Sequence, residues 1–433
     1  MKTHRAADSV DASPEKSFFI YMITRDINLE DCILDLLDNS IDGAIRTRGP
    51  EASLEGLSVR IEFNESAFSI ADNCGGIPLD VARHYAFHFG RPMEAEPVGR
   101  GVGLYGVGMK RAVFKLGRKI EIVSSTATEG FRVDIDVSAW EQSPHWNFPM
   151  EQLRSPGPAG TTVRVREFNP AVAEEFRGRM FADELRQMVS RDYSMFLQRG
   201  LAVQVNRKTV PITVLQLLEG GKFKAAKLAY DDDDVHVELI AGMAAPPPES
   251  ADESQGINVD PFGWFVLCND RVVKAANKDE DTVWGVQGST RWHNQYRGFL
   301  GIARFSSINP SLLPWTTTKR ELDKTAAVYR RAVKRMKDLT DQWVRYTRRR
   351  KRAPDKARAA ERAAEPKALT EVDDSDGMRF PDLPETPEIG HIQYTKPKDD
   401  ILRVAAALGD PEMTFVEVGE RTFDYYFERE VEP

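Results

Sequence analysis

Cysteine is scarce: Cys32, Cys74 and Cys268 are too few and too scattered for a disulfide framework or a zinc site, and a reducing compartment fits. No run of about 18 apolar residues occurs, so no membrane span is expected. The opening stretch MKTHRAADSVDASPEKS has no apolar core of the kind a signal peptide needs. Basic residues are not in excess either. With 59 Lys and Arg against 67 Asp and Glu the net charge is −8, so wholesale nucleic-acid binding is not implied and only local patches remain. Internal repeats are absent. The 433 residues leave room for two or three domains of a soluble, cytoplasmic protein.

What is present centres on Asp35 to Ala44, DLLDNSIDGA, inside a run that begins at Leu29. Leu29, Cys32, Ile33, Leu36, Leu37, Ile41 and Ala44 recur at three- and four-residue steps, which predicts a helix with one buried face. Asn28, with Asp31 three places on, can cap its start. The other face carries Asp31, Asp35, Asp38, Asn39 and Asp42, with no Lys or Arg from Leu29 to Ile45. Like charges four apart cost a helix about 0.2–0.5 kcal/mol each, so an outside partner is expected to compensate them. A hydrated Mg²⁺ is a candidate, because it takes oxygen ligands and keeps several waters.

Two further stretches bear on that helix. Val59, Ile61 and Phe63 alternate, turn at Asn64 and Glu65, and resume with Phe68 and Ile70, which reads as a hairpin running into Asp72-Asn-Cys-Gly-Gly-Ile-Pro78. An Asp followed by paired glycines suits a carboxylate at a pocket floor, accepting from an amine while backbone comes close, although a plain turn fits as well. After a polar loop at Arg91 to Pro97 comes GRGVGLYGVGMK, with Gly at 99, 101, 103, 106 and 108 and then Lys110. Such a stretch leaves N–H groups free to wrap a phosphate, ahead of a helix from Met109 to Leu116 that Gly117 closes. Walker A fails because Met109 separates Gly108 from Lys110. The dinucleotide pattern matches cheaply at Gly101, Gly103 and Gly106, but no strand precedes it.

An acidic helix ending in Asp-Asn-Ser-x-Asp, an Asp-x-x-Gly-Gly turn and a GxxGxGxK lid together resemble the boxes of the GHKL ATPases, the group of gyrase, the heat-shock chaperone, histidine kinases and MutL. A fourth box, Gly160-Thr-Thr-Val-Arg-Val-Arg166, stands where that family has it. The resemblance covers about Phe18 to Phe168. It implies an α+β chain: a Bergerat α/β sandwich ATPase domain, an α/β transducer-like domain and a small C-terminal module. Carried over residue by residue, it implies that Asn39 ligates Mg²⁺, that Asp72 accepts the adenine amine with Thr161 in support, and that Gly106, Gly108 and Lys110 enclose the phosphates of ATP. Gly76 and Gly103 join them as nucleotide-binding positions. Asp35 stands where hydrolysing members place a Glu general base. The shorter side chain implies slow hydrolysis, since about 1 Å of misplacement can cost on the order of 10²-fold. Cys74 replaces the first glycine of the usual turn, which bears on its local geometry.

Beyond these boxes, strands are expected at Ile120–Val123 and Val133–Val137, helix over Ala171–Gly200, a strand at Val203–Val210, and further strands from Val235 to Phe305 with a hairpin about Asn269 and Asp270. Thr318 with Glu321 reads as a capping box that places Lys319 and Arg320 in the first turn of a long helix. By resemblance, Lys319 is the transducer lysine that reaches the γ-phosphate. From Arg330 to Arg352 the helix is strongly basic with Trp343 and Tyr346 interleaved, a possible DNA contact. The expected divisions are a tail at 1–17, an ATP-binding domain at 18–170, a transducer-like domain at 171–350, a charged, proline-rich linker at 351–400 and a docking module at 401–433.

Family likeness to MORC and MutL proteins implies an ATP-driven homodimeric clamp on DNA or protein, with the C-terminal module as a possible protein contact. A chaperone-like ATPase is the alternative. A bacterial defence role follows only by analogy with stand-alone members. A histidine kinase is disfavoured: no histidine is followed by the acidic residue of a phosphoacceptor. His84 and His88 lack an intervening Glu and read as lid packing rather than a zinc site.

Overall fold

The computed structural model describes residues 14–90, 101–103, 106–154, 157–247, 261–286, 288–383 and 392–431. The chain divides into one unit spanning residues 1–384 and a second spanning 385–433. The loop expected at Arg91 to Pro97 and most of the PPPESADESQG stretch lie outside the described residues.

The first unit contains two mixed sheets with helices, an α/β sandwich. In sheet one, β1 (Ser58–Phe63), β2 (Ala67–Asp72), β3 (Gly117–Ser125), β4 (Gly130–Asp136), β5 (Met150–Gln152), β6 (Gly160–Phe168), β7 (Ala202–Val205) and β8 (Lys208–Thr209) run in the order β5-β4-β3-β6-β2-β1-β7-β8. Period-two alternation turns Val59, Ile61, Phe68, Ile70, Ile122, Val133, Val163 and Val165 inward, while Arg60, Glu62 and Arg164 stay out of the core. The buried side packs in one core with α1 (Lys16–Arg25), α2 (Leu29–Arg48) and the helix Gly108–Leu116. Helix α1 begins at Lys16, inside the stretch expected as tail. Its Ile20 is buried, and Lys16 donates to the carbonyls of Trp140, Ser143 and His145. Because β7 pairs in parallel with β1, the sheet continues past the expected boundary at residue 170.

In sheet two, β9 (Gln216–Glu219), β10 (Ala226–Asp232), β11 (Val235–Ala245), β12 (Gly263–Cys268), β13 (Arg271–Asn277), β14 (Phe299–Ser306) and β15 (Glu365–Ala368) run β13-β12-β14-β11-β9-β15, with β10 on β11. Strand β12 is buried at every position, as expected for a strand covered on both faces. Helix Ala327–Arg352 covers one face: Trp264 donates to Thr340, and Phe299 lies against Trp343. Asn269 and Asp270 form the hairpin turn with φ of 46° and 67°, the left-handed geometry that Asn and Asp tolerate.

Three expectations fail here for physical reasons. The long helix starts at Ala327, so Thr318 and Glu321 form no capping box. Thr318 instead meets the Thr316 hydroxyl, Glu321 binds Lys274, and Lys319 adopts φ 56° in a tight turn. Ion pairs of Lys319 and Arg320 with buried aspartates outweigh a cap worth about 1 kcal/mol. Trp343 and Tyr346 point into the core, with Tyr346 stacked on Phe380 at 4.2 Å, so they do not interleave a binding face. The expected linker at 351–400 is in part ordered. Helix Pro354–Arg362 buries Glu361 against Arg350, β15 joins sheet two, and Met378 to Leu383 packs on the core. Its charge and proline content obscured these contacts.

The second unit pairs helices Lys398–Ala407 and Phe415–Tyr426 around a small core of Ala405, Met413 and Val418. Thr414 and Glu417 form a true capping box. Phe415, Val416, Phe423 and Tyr426 are exposed.

Candidate functional site

Helix α2 begins as its sequence dictates, with the Asn28 side chain accepting the Asp31 N–H at 2.8 Å. Much of the charge on its acidic face is compensated by the chain itself. Asp38, fully buried, accepts from Lys319 Nζ at 2.5 Å, Arg271 Nε at 3.0 Å and the Tyr193 hydroxyl at 2.7 Å. Burial alone would raise its carboxyl, but Lys319 and Arg271 hold it below the usual carboxylate range. Asp35 accepts from Arg111 Nη2 at 2.5 Å, with Lys319 Nζ at 3.6 Å from its other oxygen. Asp31 binds Arg320, which also reaches Asp192. Asp42 accepts the lid amides of Val102 at 2.6 Å and Gly103 at 2.8 Å, and burial pushes its carboxyl up to about 6.

Strand β2 ends at Asp72, one turn of chain from the glycines. Asp72 Oδ1 accepts the N–H groups of Cys74 at 2.9 Å and Thr161 at 3.2 Å, and Oδ2 accepts the Ser40 hydroxyl at 2.8 Å. A carboxylate has about four lone-pair sites, so one remains for a donor in the cavity. Burial raises this carboxyl above its ordinary value. Gly75 and Gly76 take φ of 94° and 72°, and a Cβ on Gly76 would lie 1.9 Å from the Ser125 carbonyl oxygen. Left-handed backbone is needed at 75 and 76 and not at 74, which is why Cys74 is accommodated there, buried against α2.

The described lid residues complete the enclosure. Gly106 has φ 63°, and a Cβ on Gly108 would lie 3.3 Å from Asp35 Cγ. Gly117 does not close the helix as a left-handed cap. Its φ of −176° is extended and opens β3, where a side chain would press on the Glu167 carbonyl at 2.8 Å. Lys110 lies on the cavity wall, but its ammonium donates to the Ala86 carbonyl at 2.9 Å, and burial lowers its pKa to about 7.

One cavity of about 530 Å³ is lined by Asp35, Asn39, Asp72, Gly76, Gly103, Gly106, Gly108, Lys110, Thr161 and Lys319, so every site residue expected from the sequence meets there. Its volume falls in the range of about 300–1,000 Å³ typical of small-molecule sites. Asn39 is exposed to it, with Nδ2 donating to the Asp35 carbonyl at 3.0 Å and Oδ1 left for a ligand. Among the described residues no cluster of three or more His, Cys, Asp or Glu could cage a metal. A single amide oxygen fits Mg²⁺ only where phosphate oxygens and waters complete its shell. His84 pairs with Asp80 on the surface.

Sequence reasoning missed Arg111 on the cavity wall, and Tyr193 and Arg271 as the partners of Asp38. Arg111 was signalled by its place beside Lys110 at the end of the glycine run. Nothing local marks Tyr193 or Arg271, which come from distant segments.

A family model described as "Histidine kinase-, DNA gyrase B-, and HSP90-like ATPase" matches residues 27–161, the span that holds α2, the Asp72 turn, the lid and Thr161. No curated protein matches the chain significantly. The match and the geometry agree: residues 27–161 are similar to the GHKL-type ATPase domains that this model describes.

Proposed function

We propose that the protein binds ATP with Mg²⁺ in this cavity, hydrolyses it slowly, and uses the nucleotide to drive dimerisation as a clamp. The observation that carries the reading is the convergence of Asp35, Asn39, Asp72 and Lys319 on one cavity. Asp72 keeps a lone pair for the adenine amine, while Ser40 and the Thr161 amide hold its orientation. Asn39 Oδ1 holds Mg²⁺, which supplies charge neutralisation at the phosphates when bound. Asp35 takes the proton of the attacking water, and Lys319, 3.6 Å from it, faces the terminal phosphate. In this reading Asp72→Asn loses ATP binding. Asp35→Asn keeps binding and loses turnover, and unchanged turnover would remove Asp35 as the base.

Light scattering with and without ATP and Mg²⁺ tests the clamp, with nucleotide-dependent doubling of mass the expected result. DNA is the proposed target over a protein client because Arg345, Arg348 and Lys351 are exposed on the helix Ala327–Arg352. Salt-sensitive DNA retention that survives neutralisation of those three residues would withdraw that assignment.

A further inference from the structure

Asp35 reaches less far than a glutamate, so its use as a base depends on how its carboxylate is held. Arg111 holds it. The guanidinium comes from the first turn of the helix Gly108–Leu116, and its side chain is 12% exposed. Nη2 lies 2.5 Å from Asp35 Oδ2, a charge-assisted bond that holds this oxygen. Arg111 Nε is buried without a hydrogen-bond partner among the described residues, so nothing within the protein competes at that atom. On the other side, Lys319 Nζ stands 3.6 Å from Asp35 Oδ1, beyond a true hydrogen bond. One oxygen of Asp35, a residue on the cavity wall, is engaged by Arg111, and the other has, among the described residues, only Lys319 at 3.6 Å.

We infer that Arg111 is the positioning residue of the base: it engages Asp35 Oδ2 so that Oδ1 faces the cavity as the proton acceptor. The inference rests on the assignment of Asp35 as base. In the step, Oδ1 takes a proton from water as the water oxygen bonds to the terminal phosphorus. The bond to the bridging oxygen breaks, its electron pair leaves on ADP, and the proton passes from Asp35 to solvent. Arg111 itself neither gains nor loses a proton. A rival role follows from its position on the same cavity wall, that of a cation binding the phosphates directly.

The two roles separate in steady-state kinetics combined with equilibrium ADP titration on the full chain. Arg111→Met keeps side-chain bulk and removes the donor. The expected result is a fall in kcat on the order of 10²-fold, as for about 1 Å of misplacement, with KM for ATP and ADP affinity changed by less than about 3-fold. Arg111→Lys should recover part of kcat, since one donor to one oxygen suffices. Independently of turnover, the carboxylate stretch identified from wild-type minus Asp35→Asn infrared spectra should shift in Arg111→Met. An unchanged kcat, or a raised KM and weakened ADP binding at constant kcat, overturns the inference. Where Arg111→Met fails to fold, Arg111→Lys carries the same readings, with lowered kcat and a shifted band expected. Turnover that persists in Asp35→Asn defeats the base assignment itself, whereas its loss there with full kcat in Arg111→Met defeats only the role of Arg111.

Discussion

Lys110 offers a test of the cavity wall that does not depend on catalysis. Its ammonium is buried, and among the described residues its one hydrogen bond is to the Ala86 carbonyl. Burial lowers its pKa from 10.5 to about 7, and a fall of about 3.5 at 1.36 kcal/mol per unit is on the order of 5 kcal/mol. The folded pKa lies below the unfolded one, so this group's contribution is fully present above about 10.5 and is lost as pH falls through about 7. Between pH 7 and pH 9 the wild type should therefore gain roughly 2 kcal/mol from Lys110 alone. Lys110→Met, which fills similar volume without a charge, should lack that gain and be the more stable protein at pH 7. Urea unfolding of both proteins at both pH values isolates the effect, because every other titrating group cancels in the difference. Stabilities that rise or fall in parallel would show that the ammonium is not desolvated, and the described wall would be wrong. The same logic bears on ATP, since phosphate arriving beside Lys110 stabilises its charged form. At pH 8, ATP binding should take up more protons in the wild type than in Lys110→Met.

Gly76→Ala should abolish nucleotide binding and cost the fold at least about 3 kcal/mol, because the new Cβ would sit 1.9 Å from the Ser125 carbonyl and φ is 72°; thermal melting and ADP titration check both. Asp72→Asn should weaken ADP by on the order of 10²-fold, about 2–3 kcal/mol, with little change in melting temperature, since it alters the one acceptor left for the ligand. Asp42 titrates at about 6, raised by burial, so its own contribution to stability is present below about 3.8 and lost as pH rises through 6. Protonation nevertheless removes charge from the acceptor of the Val102 and Gly103 amides. Hydrogen exchange at those amides, corrected for intrinsic rates, should accelerate below pH 6, and pH-independent protection would contradict this.

Much of the site was legible locally. The acidic helix, its Asn28 cap, the Asp72 turn with its two glycines, and the strand from Gly160 each follow from side-chain periodicity or from a backbone conformation that few residues adopt. The family match at residues 27–161 covers the same span. The region beyond it read less well. The apparent capping box at Thr318 was a local pattern worth about 1 kcal/mol, set against buried ion pairs that no window of neighbouring residues contains. The basic helix from Ala327 looked like a nucleic-acid surface because its aromatics are interleaved with arginine, yet a period of 3.6 sends Trp343 and Tyr346 to the core face.

Sequence alone marked the glycines at 75, 76 and 106 and the acidic face of α2 without a local countercharge, because each is a property of a short stretch. Only the tertiary structure decided what neutralises that face. Lys319 stands 281 residues from Asp38, Arg271 stands 233 away and Tyr193 stands 155 away. The physical reason is that a buried carboxylate must find countercharge wherever the fold delivers it, and chain separation places no limit on that choice.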